Sequence, residues 1–255
     1  MPEVAFGRRL ALLARHWGLL APPLAWSRRW LTRLLLQGPG VRTLDLGCGD
    51  GYYTLAAARR GESAVGLSND PEGLRRASET RDLLRLTTEQ ADFRCEDLRT
   101  WRPSPEEQYD QVLLLAVLEH LLDDAGLLQR VHTALKPNGL LFACTPNRAC
   151  GLRDGRAHIT RDEVGRHVRH GYTFEQLEAI LGRCGYEAVD RRGFAWLGTQ
   201  TMARLQHALP LPSSAVAILR VLLLPVWRPL ALLLDLLPTD EPYLILVIAR
   251  KAAPA

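Results

Sequence analysis

The 255-residue chain is predicted to be an α/β protein built on a doubly wound, mostly parallel sheet. Short apolar runs alternate with helix-patterned segments between Val41 and Phe194, the pattern of successive strand–helix–strand units. The first run, Val41-Arg42-Thr43-Leu44-Asp45-Leu46, passes directly into the turn Gly47-Cys48-Gly49-Asp50-Gly51. A later run, Tyr109 to Ala116, is nearly continuously apolar, as expected of a central parallel strand buried on both faces.

The glycine turn carries the first chemical information. Gly47, Gly49 and Gly51 remove side chains where a ligand must approach the backbone, and they permit positive φ between strand and helix. The helix that follows, roughly Tyr52 to Arg60, would offer free N–H groups to a carboxylate or phosphate. The spacing is G-x-G-x-G, tighter than the G-x-G-x-x-G of dinucleotide sites. Asp45, two residues before the first glycine, sets a carboxylate where an amine would meet it. In these residues the chain resembles the class I S-adenosylmethionine-dependent methyltransferases, whose first motif reads hydrophobic-x-D-x-G-x-G-x-G. The resemblance implies a Rossmann-like sheet of seven strands with the last antiparallel. It also implies S-adenosyl-L-methionine as cofactor, held here by Asp45, Gly47, Cys48, Gly49 and Gly51.

Ser63 to Ser68 reads as the second strand, and Asn69-Asp70-Pro71 opens the next helix with proline at a permitted first-turn position. In the resembling family the second strand ends in an acid that grips the ribose hydroxyls. Ser68 and Asn69 stand in this region, so a neutral hydroxyl replaces the acid at a cost of roughly 1 kcal/mol. Asp70 either compensates or caps the helix. The third strand, Ala91 onward, leads to Asp97 and Leu98, to which the resemblance gives the adenine contacts; taken alone, an acid after a strand is more often a solvated loop residue.

The fourth strand leads into Val117-Leu118-Glu119-His120 at the carboxyl edge, where ligands bind in such sheets. With Leu135-Lys136-Pro137-Asn138-Gly139 and Leu140 to Asn147, this segment resembles small-molecule methyltransferases of the quinone-biosynthesis type. His120 is the candidate general base and Glu119 its orienting partner or an acceptor contact, against a capping or packing role for the histidine. The loop from Arg148 to Arg169 adds His158 and His167, and His170 and Tyr172 follow, as weaker acceptor candidates. The three histidines match no helix-face ligand pair, so no metal site is predicted. Thr173 with Gln176 forms a capping box before a helix ending near Cys184-Gly185. Tyr186 to Phe194 is the sixth strand and Tyr243 to Arg250 the seventh.

The chain therefore divides into basic amphipathic helices at 1–40, a cofactor-binding core at 41–194, an apolar helical insertion at 195–242, and a last strand and tail at 243–255. Within the insertion, residues 215–237 are long enough to span a bilayer, but Arg220, Pro225, Arg228, Pro229 and Asp235 interrupt them. Two short amphipathic helices broken at Pro225 and Pro229 are expected instead, serving as a lid, a dimer face or a membrane-surface element.

The net charge is +4, and Lys136 and Lys251 are the only lysines. Arg8, Arg9, Arg15, Arg28, Arg29 and Arg33 face only Glu3 in the first forty residues and are interleaved with leucine and tryptophan. That pattern suits either helices covering the cofactor or an anionic membrane surface. Five scattered cysteines fit a reducing cytoplasm without a disulfide framework, so the expected location is the cytoplasm or the inner face of its membrane. The apolar run between Arg9 and Arg15 is too short for a signal peptide. No basic, aromatic-rich appended module points to nucleic acid. Leu115-Ala116-Val117-Leu118 replaces the Asn-Pro-Pro-aromatic run of exocyclic amino methylation. The expected activity is methyl transfer to a small hydrophobic or lipid-linked acceptor, most readily at a hydroxyl; the alternative is a non-catalytic scaffold on the same fold. The oligomeric state is left open.

Overall fold

A computed structural model describes residues 6–16, 28–150, 159–160, 162–163, 167–208, 226–227, 229–237 and 241–252. Its strands are β1 (Arg42–Leu46), β2 (Ser63–Ser68), β3 (Ala91–Cys95), β4 (Tyr109–Leu115), β5 (Leu135–Pro146), β6 (Tyr186–Phe194) and β7 (Leu244–Lys251). They form one sheet in the order β3-β2-β1-β4-β5-β7-β6. The first five are mutually parallel, and β7 lies antiparallel between β5 and β6. This is the predicted doubly wound architecture. The strand order reverses direction between β1 and β4, and a crevice forms at the carboxyl ends of such a pair.

Alternation along each strand divides the core between two faces. Val112, Leu114, Leu141, Ala143, Ile245 and Val247 point to one face, under α5 (Asp124–Ala134) and α6 (Phe174–Arg183). Leu113, Phe142, Cys144, Leu246 and Ile248 point to the other, where Leu31 and Leu35 from α2 (Arg28–Thr32) and the turn after it pack against them. Because both faces are covered, polar residues buried in the central strands are hydrogen-bonded within the protein: the Gln111 amide at the amino edge donates to Thr43 and Glu62.

The remaining helices are α1 (Phe6–His16), α3 (Tyr52–Ala58), α4 (Pro71–Leu83) and α7 (Leu197–Ala208). α1 lies on α4, with Arg8 paired to Glu79 at 2.7 Å, and brings His16 to 5.7 Å from the Tyr52 ring beside the glycine turn. Burial holds the His16 imidazole down to about 4, with Arg59 adding to the effect. The first N-terminal helix thus lies beside the glycine turn, while Phe6 and Leu10 remain exposed. Asp70 caps α4 through Glu72 N, and Thr173 with Gln176 makes the expected box on α6.

Several boundaries differ from expectation. α3 ends at Ala58, two residues early, where Gly61 with positive φ turns the chain toward β2. β5 begins at Leu135 because Leu135 pairs with Tyr109 before the register shifts to Leu140 opposite Gln111. In the insertion, residues 226–227 and 229–234 are helical, with Pro229 the first described residue of the second stretch; Pro225 and Arg228 are outside the described residues. This insertion helix packs on α7 through Ala231 and Met202, and a Cβ on Gly198 would overlap the Ala231 carbonyl oxygen. No described helix is long and apolar enough to cross a membrane.

Candidate active site

The glycine turn is shaped from β1 outward. Asp45 is buried, and its Oδ2 accepts from Thr54 N at 3.2 Å and Thr54 Oγ1 at 2.7 Å, fastening the strand to the first turn of α3. Gly47 N and Cys48 N both donate to Leu67 O, which locks the turn to the end of β2. Gly47, Gly49 and Gly51 all have positive φ. A Cβ on Gly47 would strike Val117, and one on Gly51 would strike Phe93 and Ala77. At Gly49 the same atom would meet no protein atom within 4 Å, so this glycine faces open space at the carboxyl edge. Burial, reinforced by Asp45, pushes the Cys48 thiol far above its ordinary range, leaving it a small neutral wall of the turn.

At the end of β2, Ser68 is buried and its Oγ accepts from Asp70 N at 3.1 Å, while Asn69 is exposed. Beyond β3, Asp97 is held by the Arg99 guanidinium at 2.9 and 3.0 Å and by Arg99 N at 3.0 Å. That fork lowers the Asp97 carboxyl below its usual value. Leu98 presents its carbonyl to Arg130.

Past β4, Ala116 adopts φ 58°, an uncommon conformation for a non-glycine residue, and its N–H donates to Cys144 O at 2.8 Å. The following 3₁₀ turn, Leu118–His120, delivers the two predicted catalytic residues. Glu119 is 1% exposed, and burial raises its carboxyl to about 8, against a weaker opposing pull from Arg169. Its Oε2 has no hydrogen-bond partner. The His120 ring lies edge-on to His167, with centroids 4.6 Å apart. Ligand atoms of Glu119, His120 and His167 fall within 4.8 Å of one another, close enough to share a proton or a cation.

A clasp brings His167 there. Val168 N donates to Glu119 O at 2.8 Å, and Leu122 N donates to Glu163. Arg169 reaches Asp124, the Tyr172 hydroxyl and Leu122 O. Tyr172, expected to face the acceptor, is buried with its hydroxyl donating to Asp124, and burial pushes that phenol up to about 12. His170 lies on the same loop outside the three-residue cluster, and His158 is outside the described residues. His167 ranked below His120 in the sequence, since only the loop's return places it against Glu119. Asp124 and Arg169 carried no signal beyond being a capping acid and one arginine among many.

The sheet order, the antiparallel seventh strand and the glycine turn at the carboxyl edge define a Rossmann-like protein of the S-adenosylmethionine-dependent methyltransferase type. A family profile described as a methyltransferase domain matches residues 19–191, and the chain belongs to that family. S-adenosyl-L-methionine is the cofactor this implies, and the open space at Gly49 fits it. The chain is 30% identical over 166 residues to a ubiquinone biosynthesis O-methyltransferase of Ruegeria pomeroyi, covering 62% of this chain and 64% of that protein. It thus spans just under two thirds of that relative's length. Among solved structures, an S-adenosylmethionine-dependent methyltransferase from Mesorhizobium loti aligns with a TM-score of 0.60 at 22% identity, covering 91% of this chain and all of that one. The [4+2]-cyclase SpnF aligns with a TM-score of 0.62 at 20% identity, over 98% and 94% of the two chains. At these identities the structural likenesses speak to the fold alone, and the fold hosts more than one reaction.

Proposed function

We propose that this protein methylates a hydroxyl group on a small hydrophobic or lipid-linked acceptor, with His120 as the general base. The carrying observation is the buried Glu119 carboxyl, raised to about 8, beside His120 and His167 at the end of β4. The cofactor's place is the turn Gly47 to Gly51, with Asp45 beneath it and Ser68, Asn69, Asp97 and Leu98 along its nucleoside side. When bound, S-adenosyl-L-methionine supplies an electrophilic methyl group and leaves as a neutral thioether.

The chain's residues supply position and proton management. His120 takes the hydroxyl proton on a ring nitrogen as the oxygen's lone pair forms its new bond to carbon. Glu119, neutral near pH 7 because ionisation in its dry site is unfavourable, orients the imidazole by accepting from its N–H through the carbonyl oxygen, which leaves the other ring nitrogen free to take the hydroxyl proton. The clasp from Arg169 to Asp124 holds His167 over the pair and limits water.

The acceptor's apolar character is supported by the Ruegeria relative's name and by exposed leucines on the insertion helix. The test is methyl transfer to alkyl-bearing phenols, followed by mass spectrometry. Activity should fall about 10²-fold or more in His120→Ala. A variant with full activity would remove the base role, and no transfer to any hydroxyl acceptor would remove the reading itself.

A further inference from the structure

We propose that a cavity beside the end of β6 receives the aliphatic chain of the methyl acceptor and that Arg33 binds an anionic group on it. The proposal rests on the O-methylation reading above and specifies the acceptor's chemistry. The cavity has a volume of about 360 Å³, within the range of small-ligand sites. Trp30 and Leu34 form one wall, Phe194 and Trp196 a second, and Leu232 and Leu236 a third. That third wall is a built element, because the insertion helix is seated so closely on α7 that only glycine fits at position 198.

Topology connects the cavity to the reaction site. β6 is antiparallel to β7, which is antiparallel to β5, so β6 runs in the direction of β5 and β4. Its last residue, Phe194, therefore lies at the same carboxyl edge as Glu119 and His120. Three inter-strand steps separate β4 from β6, about 14 Å at ~4.8 Å each. A molecule that presents its hydroxyl at His120 and also fills the cavity must be elongated, with most of its length apolar.

The charges at the rim select its polarity. The Asp235 carboxylate keeps its charge and is held in place by Thr199, whose N–H donates at 2.8 Å and whose hydroxyl also donates. Arg192 is paired with Asp190 at 2.8 Å. Arg33 stacks over Trp30 at 4.7 Å, and no described carboxylate lies within ion-pair distance of it. The rim thus holds one carboxylate fixed by Thr199 and one cation outside any described ion pair, and Arg33 is the group there that a carboxylate or phosphate on an aliphatic chain would meet.

The experiment uses the full chain and the fluorescent eighteen-carbon carboxylate cis-parinaric acid, displaced by dodecanoate, dodecyl phosphate or dodecanol. Filling the cavity with Leu232→Trp, or with Leu34→Trp from the opposite wall, should weaken probe binding at least tenfold, with S-adenosylhomocysteine affinity as the folding control. Arg33→Gln should weaken displacement by dodecanoate and dodecyl phosphate about tenfold and leave dodecanol in place; the first two distinguish a carboxylate from a phosphate. In turnover, Leu232→Trp should collapse the kcat/KM preference for a long-chain phenol over its short-chain analogue. Probe binding that is absent in the wild type, or insensitive to both tryptophans, overturns the proposal. So does an unchanged chain-length preference. Methylation of short phenols without probe binding sinks this proposal alone, whereas probe binding without any methylation sinks the O-methylation reading and the acceptor assignment with it.

Discussion

Glu119 sets the pH behaviour of the site. Its carboxyl is raised from 4.5 to about 8 by burial, so between those values the folded protein holds a proton that the unfolded chain has lost. Stability from this residue is fully present below pH 4.5 and falls as pH rises through about 8. Glu119→Gln should therefore gain stability relative to wild type on going from pH 5.5 to 8.5, by more than ~1 kcal/mol, in urea denaturation at the two pH values. Gly49 governs the cofactor in a different way. Its φ of 55° makes any side chain pay about 1–2 kcal/mol of backbone strain, and a long one also fills the open space beside the turn. Gly49→Arg should abolish S-adenosylhomocysteine binding by calorimetry while the circular dichroism spectrum stays native. At Ser68 the missing acid predicts a reverse gain: Ser68→Asp should tighten S-adenosylhomocysteine several-fold if the ribose contact is restored, and a weakening would mean that the Asp70 N–H contact is what Ser68 serves.

The α6 capping box and the insertion helix show which local patterns survive folding unchanged. Thr173 Oγ1 accepts from Gln176 N at 3.3 Å and the Gln176 side chain accepts from Thr173 N at 3.1 Å, as the sequence pattern requires. Thr173→Ala should cost about 1 kcal/mol, measurable by denaturant titration. The insertion helix leaves Leu230 and Leu233 exposed about one turn apart, with Val226 exposed before them and Leu236 and Leu237 beyond. A stripe of this kind is amphipathic in a direction that no described element covers, and Trp30 on α2 with Arg33 in the turn after it lines the same cavity as Leu236. We expect Leu230→Ser/Leu233→Ser to reduce co-sedimentation with anionic phospholipid vesicles without changing S-adenosylhomocysteine affinity. Equal sedimentation of the two proteins would leave the stripe to a lid or a dimer contact.

Across the whole molecule, cofactor binding and stability are linked. A ligand that binds only the folded state at a hundred times its Kd adds about 2.7 kcal/mol, so S-adenosylhomocysteine should raise the melting temperature of the wild type and leave Gly49→Arg unmoved. The features readable from the chain share one property, which is that their parts are contiguous. The strand-to-turn run from Val41 to Gly51, the apolar fourth strand, the Asp70 cap and the capping box at Thr173 each draw their meaning from residues a few positions apart. So the sheet, the glycine turn and the approach of Glu119 and His120 to the carboxyl edge were legible. Contacts over long separations were not. His167 reaches His120 only because the loop is clasped by Val168, Arg169 and Asp124. Tyr172 turned out to be occupied by that clasp, and Asp97 is held by Arg99, because a polar side chain bonds the nearest available partner once the backbone has closed. The cavity beside β6 is assembled from residues near positions 30, 194 and 235, and its position follows from β6 running parallel to β4 across an intervening antiparallel strand. The sequence by itself determined the fold class and the cofactor turn, since both are set by local backbone geometry and hydrophobic periodicity. Only the tertiary structure decided which polar groups are buried beside one another and where the apolar cavity opens, since burial and proximity arise from packing between distant segments.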